Sequence, residues 1–266
     1  MVMDSSTASE PASPETAPVR NAISGAIAPW WHTGLLIVFL LFASYSQANT
    51  LGGIVRQHGR SSLYVTTMAF EWGMIVYIWF GLRSRGARLP EIVGGAWGRA
   101  EDALIDGVIA VAYLFCALLV LSAVRLAVGL LSFNRAENLQ KLNETSKTLG
   151  VLAPHGRVEL ILFILLAMTA GFCEELIFRG YFQRQFQSVT GSVAAGVVLQ
   201  GILFGAAHGY QGWRWMITIA VYGMLFGILA TWRRSLRPGM IAHFLQDFGS
   251  GLALWFMAQH PEFFPH

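Results

Sequence analysis

Residues 160–182 read Leu-Ile-Leu-Phe-Ile-Leu-Leu-Ala-Met-Thr-Ala-Gly-Phe-Cys-Glu-Glu-Leu-Ile-Phe-Arg-Gly-Tyr-Phe, an apolar run that ends in three ionisable side chains. The run from Leu160 to Ala170 has the character of a membrane helix, which places Glu174, Glu175 and Arg179 at the end of a spanning segment. A charge at the centre of such a helix costs roughly 2.5–3.5 kcal/mol on insertion scales, so these groups are expected to face a polar cavity or a partner. At 100° per residue Glu174 and Glu175 occupy different sectors of one helix, whereas Glu175 and Arg179, four apart, share one and can pair. One carboxylate is thereby neutralised locally and Glu174 is left free. A Glu-Arg pair that merely closes a helix end is the plain alternative.

Composition extends this reading to the whole chain. The 266 residues are 55% hydrophobic and only 12% charged, with a mean hydropathy of +0.52, where soluble proteins average about 25% charged. The expected fold is all-α, a polytopic transmembrane helical bundle of about seven (six to eight) spans. At roughly 17–25 residues per span, helices are predicted near 29–47, 63–82, 103–128, 158–180, 193–209, 214–232 and 239–258. Residues 48–62 and 84–100 read as connecting loops or short interfacial helices. Residues 1–20, rich in Ser, Thr, Pro and Glu, lack the apolar content needed to order themselves and read as a disordered tail. A three-helix region over 21–131 then precedes a polar connector at 132–157, a four-helix core at 158–258 and a C-terminal tail at 259–266.

Net charge is +3 and spread among loops, which bears on orientation and argues against nucleic-acid binding. Arg20, Arg83, Arg85, Arg88, Arg99, Arg179, Arg184, Arg233, Arg234 and Arg237 fall on one side, ten against seven on the other, with Arg125 inside the third span. This bias favours a cytoplasmic N-terminus. Cys116 and Cys173 lie in apolar stretches without ligand-spaced neighbours, so both read as inert buried thiols and no disulfide framework is expected. Glu71, in the middle of the second span, either joins the polar site or has a structural partner in the bundle.

Two further polar motifs follow on successive spans. Phe204 to His208 ends the fifth, with Gly201 and Gly205 forming a small-residue face for close helix approach. His243 and Asp247, four apart, share a face of the seventh. Each is costly alone in lipid, and the cheapest arrangement gathers Glu174, His208, His243 and Asp247 around one polar cavity. A carboxylate base, an imidazole and further polar groups suit hydrolysis, and the same four can hold a divalent metal such as zinc. No His-Glu-x-x-His, Gly-x-Ser-x-Gly or Walker motif is present.

Glu174-Glu175-x-x-x-Arg179, Phe204-x-x-x-His208 and His243-x-x-x-Asp247, in that order, resemble the signature motifs of the CAAX-protease and bacteriocin-processing family of intramembrane endopeptidases, which includes the type II CAAX prenyl endopeptidases. Phe178-Arg179-Gly180 and Ser235-Leu236-x-Pro238 resemble the usual surroundings. The resemblance implies a helical membrane protease with its cavity open to the cytoplasm. Glu174 and His208 would activate water, and His243 with the residue four later would serve the oxyanion side, with Glu175, Arg179 and Phe204 in support. The family is commoner with Asn at the last position, and it has been described both as metalloprotease and as glutamate-dependent. Expected partners are membrane lipid and a peptide or lipidated protein substrate. A different class of reading remains open, that of a non-catalytic scaffold, immunity protein or transporter using the same cavity.

Overall fold

The computed structural model describes residues 25–130 and 150–260. The expected disordered tail, most of the polar connector and nearly all of the C-terminal tail lie outside the described residues. Among the described residues every regular element is helical, and four helices are long and apolar enough to cross a membrane: Trp30–Arg83, Ala100–Leu130, Arg157–Thr190 and Trp213–Arg233.

The first of these, α1 (Trp30–Arg83), is 54 residues long and breaks at Gly59, where φ is 78° and ψ is 167°. A straight helix of that length would measure about 80 Å, against a hydrocarbon core of about 30 Å. A positive φ is open to glycine at no steric cost, and the break folds α1 into two antiparallel arms. Leu36 and Leu40 of one arm share a core with Met74, Ile75 and Ile78 of the other, and the rings of Phe39 and Phe70 stack at 5.3 Å. The sequence reading of 48–62 as a connector is therefore corrected. Gly52 and Gly53 keep their place in the helical hydrogen-bond ladder, and Gly59 is where the backbone leaves it.

Helix α2 (Leu89–Val93) is a single short turn closed by Gly94 at φ 102°. It is stitched to the far end of the chain, since Leu236 N donates to Val93 O at 3.0 Å and Ser235 Oγ donates to the same oxygen at 3.2 Å. Helix α3 (Ala100–Leu130) carries Asp106, fully buried. Its carboxylate accepts from Trp97 Nε1 at 2.8 Å and pairs with Arg233 at 3.0 Å and Arg237 at 3.2 Å. Cys116, expected to be buried, is exposed on α3, while Cys173 is buried.

Helix α4 (Arg157–Glu174) runs through a π-helical stretch, Glu175–Phe182, into α5 (Gln183–Thr190). Helix α6 (Val193–Ala207) is capped by Ser192, whose hydroxyl accepts from Ala195 N. A 3-10 turn (Gly209–Gln211) leads to α7 (Trp213–Arg233), and α8 (Arg237–Gln259) starts on Pro238 in its first turn. Gly201 and Gly205 face α7, packed against Met224, Ala220 and Met216, as the small-residue spacing predicts. Between α4 and α8 the approach is closer still. A Cβ at Gly171 would stand 2.9 Å from both Met240 O and Phe244 N.

Those atoms are backbone and cannot rotate aside. Gly171→Ala is therefore expected to push α4 from α8 and destabilise the protein by about 1–3 kcal/mol, the usual cost of overpacking. Gly53→Ala, with open space around it, is expected to leave stability unchanged or raised by up to about 1 kcal/mol. Thermal unfolding of purified protein in detergent, followed by size exclusion, reads both.

Candidate active site

The site is built at the point where the helix of residues 157–190 changes its winding. Glu174 is the last α-helical residue, and the π-helix opens with Glu175. Such segments are rare and concentrate at functional positions. All eight residues of this one are buried. The wider turn still leaves Glu175 and Arg179 on one side, with Arg179 Nη1 at 3.0 Å from Glu175 Oε1. Arg179 also donates through Nη2 to Gly223 O at 3.2 Å. Its guanidinium lies between aromatic faces, 4.4 Å from the ring of Phe204 and 4.9 Å from that of Phe226.

Glu175 has a second partner that sequence spacing does not show. His243 Nδ1 stands 3.1 Å from the same Oε1, and the absence of a side chain at Gly239 makes the space, since a Cβ there would sit 2.9 Å from Glu175 Oε2. Phe226 stacks on the His243 ring at 5.3 Å. With Nδ1 held by Glu175, Nε2 is aimed at two more carboxylates, Glu174 at 3.6 Å and Asp247 at 3.7 Å. These separations suit a bridged contact more than a direct hydrogen bond. Glu174 Oε2 is buried and has no hydrogen-bond partner in the protein, and among the described residues no arginine pairs with Glu174 as Arg179 does with Glu175.

His208 caps α6. Its Nδ1 lies 2.8 Å from Phe204 O, and because a carbonyl only accepts, Nδ1 carries the hydrogen and Nε2 of the neutral ring presents a lone pair. The Phe204 ring lies 4.7 Å from that of His208 and 6.1 Å from that of His243, so Phe204 is the shared wall between the two imidazoles. His208 is within electrostatic reach of Asp247. The ion contact of Glu174 runs to His243, whereas the resemblance pairs it first with His208.

The first half of the chain also enters the site. Glu71 is 5% exposed, its Oε2 is buried without a hydrogen-bond partner, and its electrostatic neighbours are Glu174 and Asp247. Of its two sequence readings, the structure places it at the cluster. Ser44 on the first arm of α1 donates to Ala206 O and accepts from Gly209 N, at 3.1 and 3.2 Å. This fixes the α6–α7 turn to a point about 21 Å of helix from Trp30. Tyr210 in that turn was not singled out by the sequence, because it belongs to no spaced motif. Its ring lies 6.0 Å from that of His208, and its phenol is within electrostatic reach of Glu174, Asp247 and Glu71. Burial pushes the phenol up to about 12, so it stays neutral.

Residues 156–249 match the type II CAAX prenyl endopeptidase Rce1-like family. The chain carries a CAAX-protease family domain. The match starts at the entry to α4 and ends two residues beyond Asp247, so it takes in all three motifs and leaves α1 to α3 outside. No curated protein and no solved structure matches the chain. The matched segment is similar to the CAAX-type intramembrane endopeptidases, and the four long apolar helices fit an integral membrane protein. As for a metal, among the described residues no three His, Cys, Asp or Glu side chains converge at ligand spacing. The donors as arranged do not fit zinc.

The Glu175 bridge sets a testable expectation. Glu175→Gln leaves Arg179 as a buried cation without its charge partner and is expected to cost about 3–5 kcal/mol, the range for a broken buried pair. Glu175→Leu with Arg179→Met removes both charges and is expected to be milder, a difference visible in thermal unfolding of the two purified proteins.

Proposed function

We propose that the protein is an intramembrane endopeptidase that hydrolyses a peptide bond of a membrane-held substrate, a prenylated CAAX-type peptide among the candidates, with Glu174 as general base. The observation that carries this is the buried Oε2 of Glu174, without a hydrogen-bond partner in the protein and 3.6 Å from His243 Nε2, beside a carboxylate already held by Arg179. A buried carboxylate oxygen without a hydrogen-bond partner is costly in an apolar bundle unless it is used.

The chemistry follows from which groups accept and which donate. A water between Glu174 and the Nε2 lone pair of His208 gives a proton to Glu174 as its oxygen attacks the substrate carbonyl carbon. The carbonyl π pair moves onto oxygen. When the C–N bond breaks, the proton on Glu174 passes to the departing nitrogen. His243, oriented by Glu175 and stacked on Phe226, and Asp247 line the oxyanion side. Between the arms of α1 lies an apolar cleft of about 530 Å³ whose lining includes Phe39, Phe70, Gly73 and Met74. Phe70 and Gly73 flank Glu71 in the chain, which supports a substrate held by a hydrocarbon chain beside the polar cluster. In this reading 158–258 is the catalytic core, 21–131 is the wall against which substrate lies, and the N-terminus is cytoplasmic.

Three measurements test this. Glu174→Gln is expected to fold normally and to lose about 10²–10⁴-fold in cleavage rate of a fluorogenic membrane-anchored peptide. His208→Ala should match it, and the double variant should be little worse than either, as groups acting together are not additive. Near-normal cleavage by well-folded Glu174→Gln would remove the base and favour a scaffold, immunity protein or transporter. Asp247→Asn is expected to preserve or raise activity, and EDTA to leave it intact; loss in both, restored by zinc, would establish a metal enzyme instead. For orientation, a cysteine at position 235 in a background lacking Cys116 and Cys173 should resist impermeant labels in intact cells, and labelling from outside would reverse the assignment.

A further inference from the structure

We propose that Tyr210 is a further catalytic residue, its phenol donating the hydrogen bond that holds the oxyanion formed when water attacks the substrate carbonyl. The proposal rests on the proteolytic reading above and answers a shortage of donors which that reading exposes.

An oxyanion needs donors aimed at it. Glu71, Glu174 and Asp247 are carboxylates and, when ionised, only accept. Where the family more often has Asn, whose amide donates, this chain has Asp247. His243 has its Nδ1 committed to Glu175 and its Nε2 directed at Glu174 and Asp247, and the Nε2 of neutral His208 accepts. Arg179 is turned inward to Glu175 and Gly223 O, between two rings. Backbone N–H groups of the turn are also engaged: Gly209 N by Ser44, Gln211 N by His208 O and Gly212 N by Gly209 O.

Tyr210 supplies what these groups lack. Its ring packs beside His208, and its phenol lies within the electrostatic reach of Glu174 and Asp247. Gln211 Nε2 donates to its oxygen at 3.0 Å. That bond occupies a lone pair of the phenol and leaves the O–H to donate elsewhere. The turn that carries Tyr210 is held against α1 through Ser44 on both of its sides, Ala206 O and Gly209 N, so the donor stands in place before substrate arrives. The step moves no proton to or from Tyr210. Water oxygen bonds to the carbonyl carbon, Glu174 takes the water proton, and the phenol only hydrogen-bonds the oxygen that gains the electron pair.

The test uses the full chain in detergent with a fluorogenic membrane-anchored peptide. Tyr210→Phe is expected to lower kcat by about 10²–10³-fold, the usual loss for one oxyanion donor, with KM within about twofold and thermal stability unchanged. A phosphinate peptide, which carries the tetrahedral oxyanion, should bind Tyr210→Phe weaker by a similar factor, while the reduced-amide peptide of the same sequence binds both proteins equally. 3,5-Difluorotyrosine at position 210 keeps the shape but ionises more readily. It should add an alkaline loss of kcat absent from the natural protein, because a phenolate cannot donate. Wild-type kcat in Tyr210→Phe, equal weakening of both ligands, or no added alkaline limb would each overturn the proposal while leaving the protease reading standing. If the unmodified protein neither cleaves the peptide nor prefers the phosphinate, the proteolytic reading fails and the role of Tyr210 fails with it.

Discussion

The ion pair between Glu175 and Arg179 is the constraint around which the bundle closes. Removing two charges from water costs several kcal/mol per ion, recovered only with good geometry and further hydrogen bonds. Here the guanidinium has a carboxylate at 3.0 Å, a backbone carbonyl on α7 and the faces of Phe204 and Phe226, while the carboxylate also holds His243 on α8. One pair on the π-helix thus ties α6, α7 and α8 to a single point, and each of those helices brings a motif residue or its support to the same place.

Buried carboxylates in this protein fall into two kinds. Asp106 is saturated, with Trp97, Arg233 and Arg237 all directed at it, and it clasps α3 to the α7–α8 end of the bundle. Glu175 is tied through Oε1 to Arg179 and His243, while its Oε2 has no hydrogen-bond partner. Glu174 and Glu71 each keep a buried oxygen without a hydrogen-bond partner and lie near one another. What separates the two kinds is charge pairing: arginines hold Asp106 and Glu175 in the fold, and among the described residues none holds Glu174 or Glu71.

Glycine makes the convergence possible where backbone must come close. Gly171 lets α4 touch the α8 backbone, Gly239 leaves room for the Glu175 carboxylate, and Gly59 turns a helix too long for the bilayer into two arms. In the last case the sequence pattern misled, because the whole of 48–62 read as a connector when only Gly59 leaves the helix. Glycine within a helix weakens it by about 1 kcal/mol but need not end it, and only the packing of the two arms decides which glycine turns.

What the sequence by itself determined is the class of fold, the three motifs and the local pairs within them. Hydropathy reports lipid exposure directly, and the spacing of four puts Glu175 with Arg179 and His243 with Asp247 on shared helical faces whatever surrounds them. The bridge from Glu175 to His243, the arrival of Glu71 and Ser44 from the first half, and the place of Tyr210 were decided by tertiary structure alone. They join residues 68 to 176 positions apart or lie on a turn with no periodicity to read, and helical period says which residues share a face without saying which helix that face will meet.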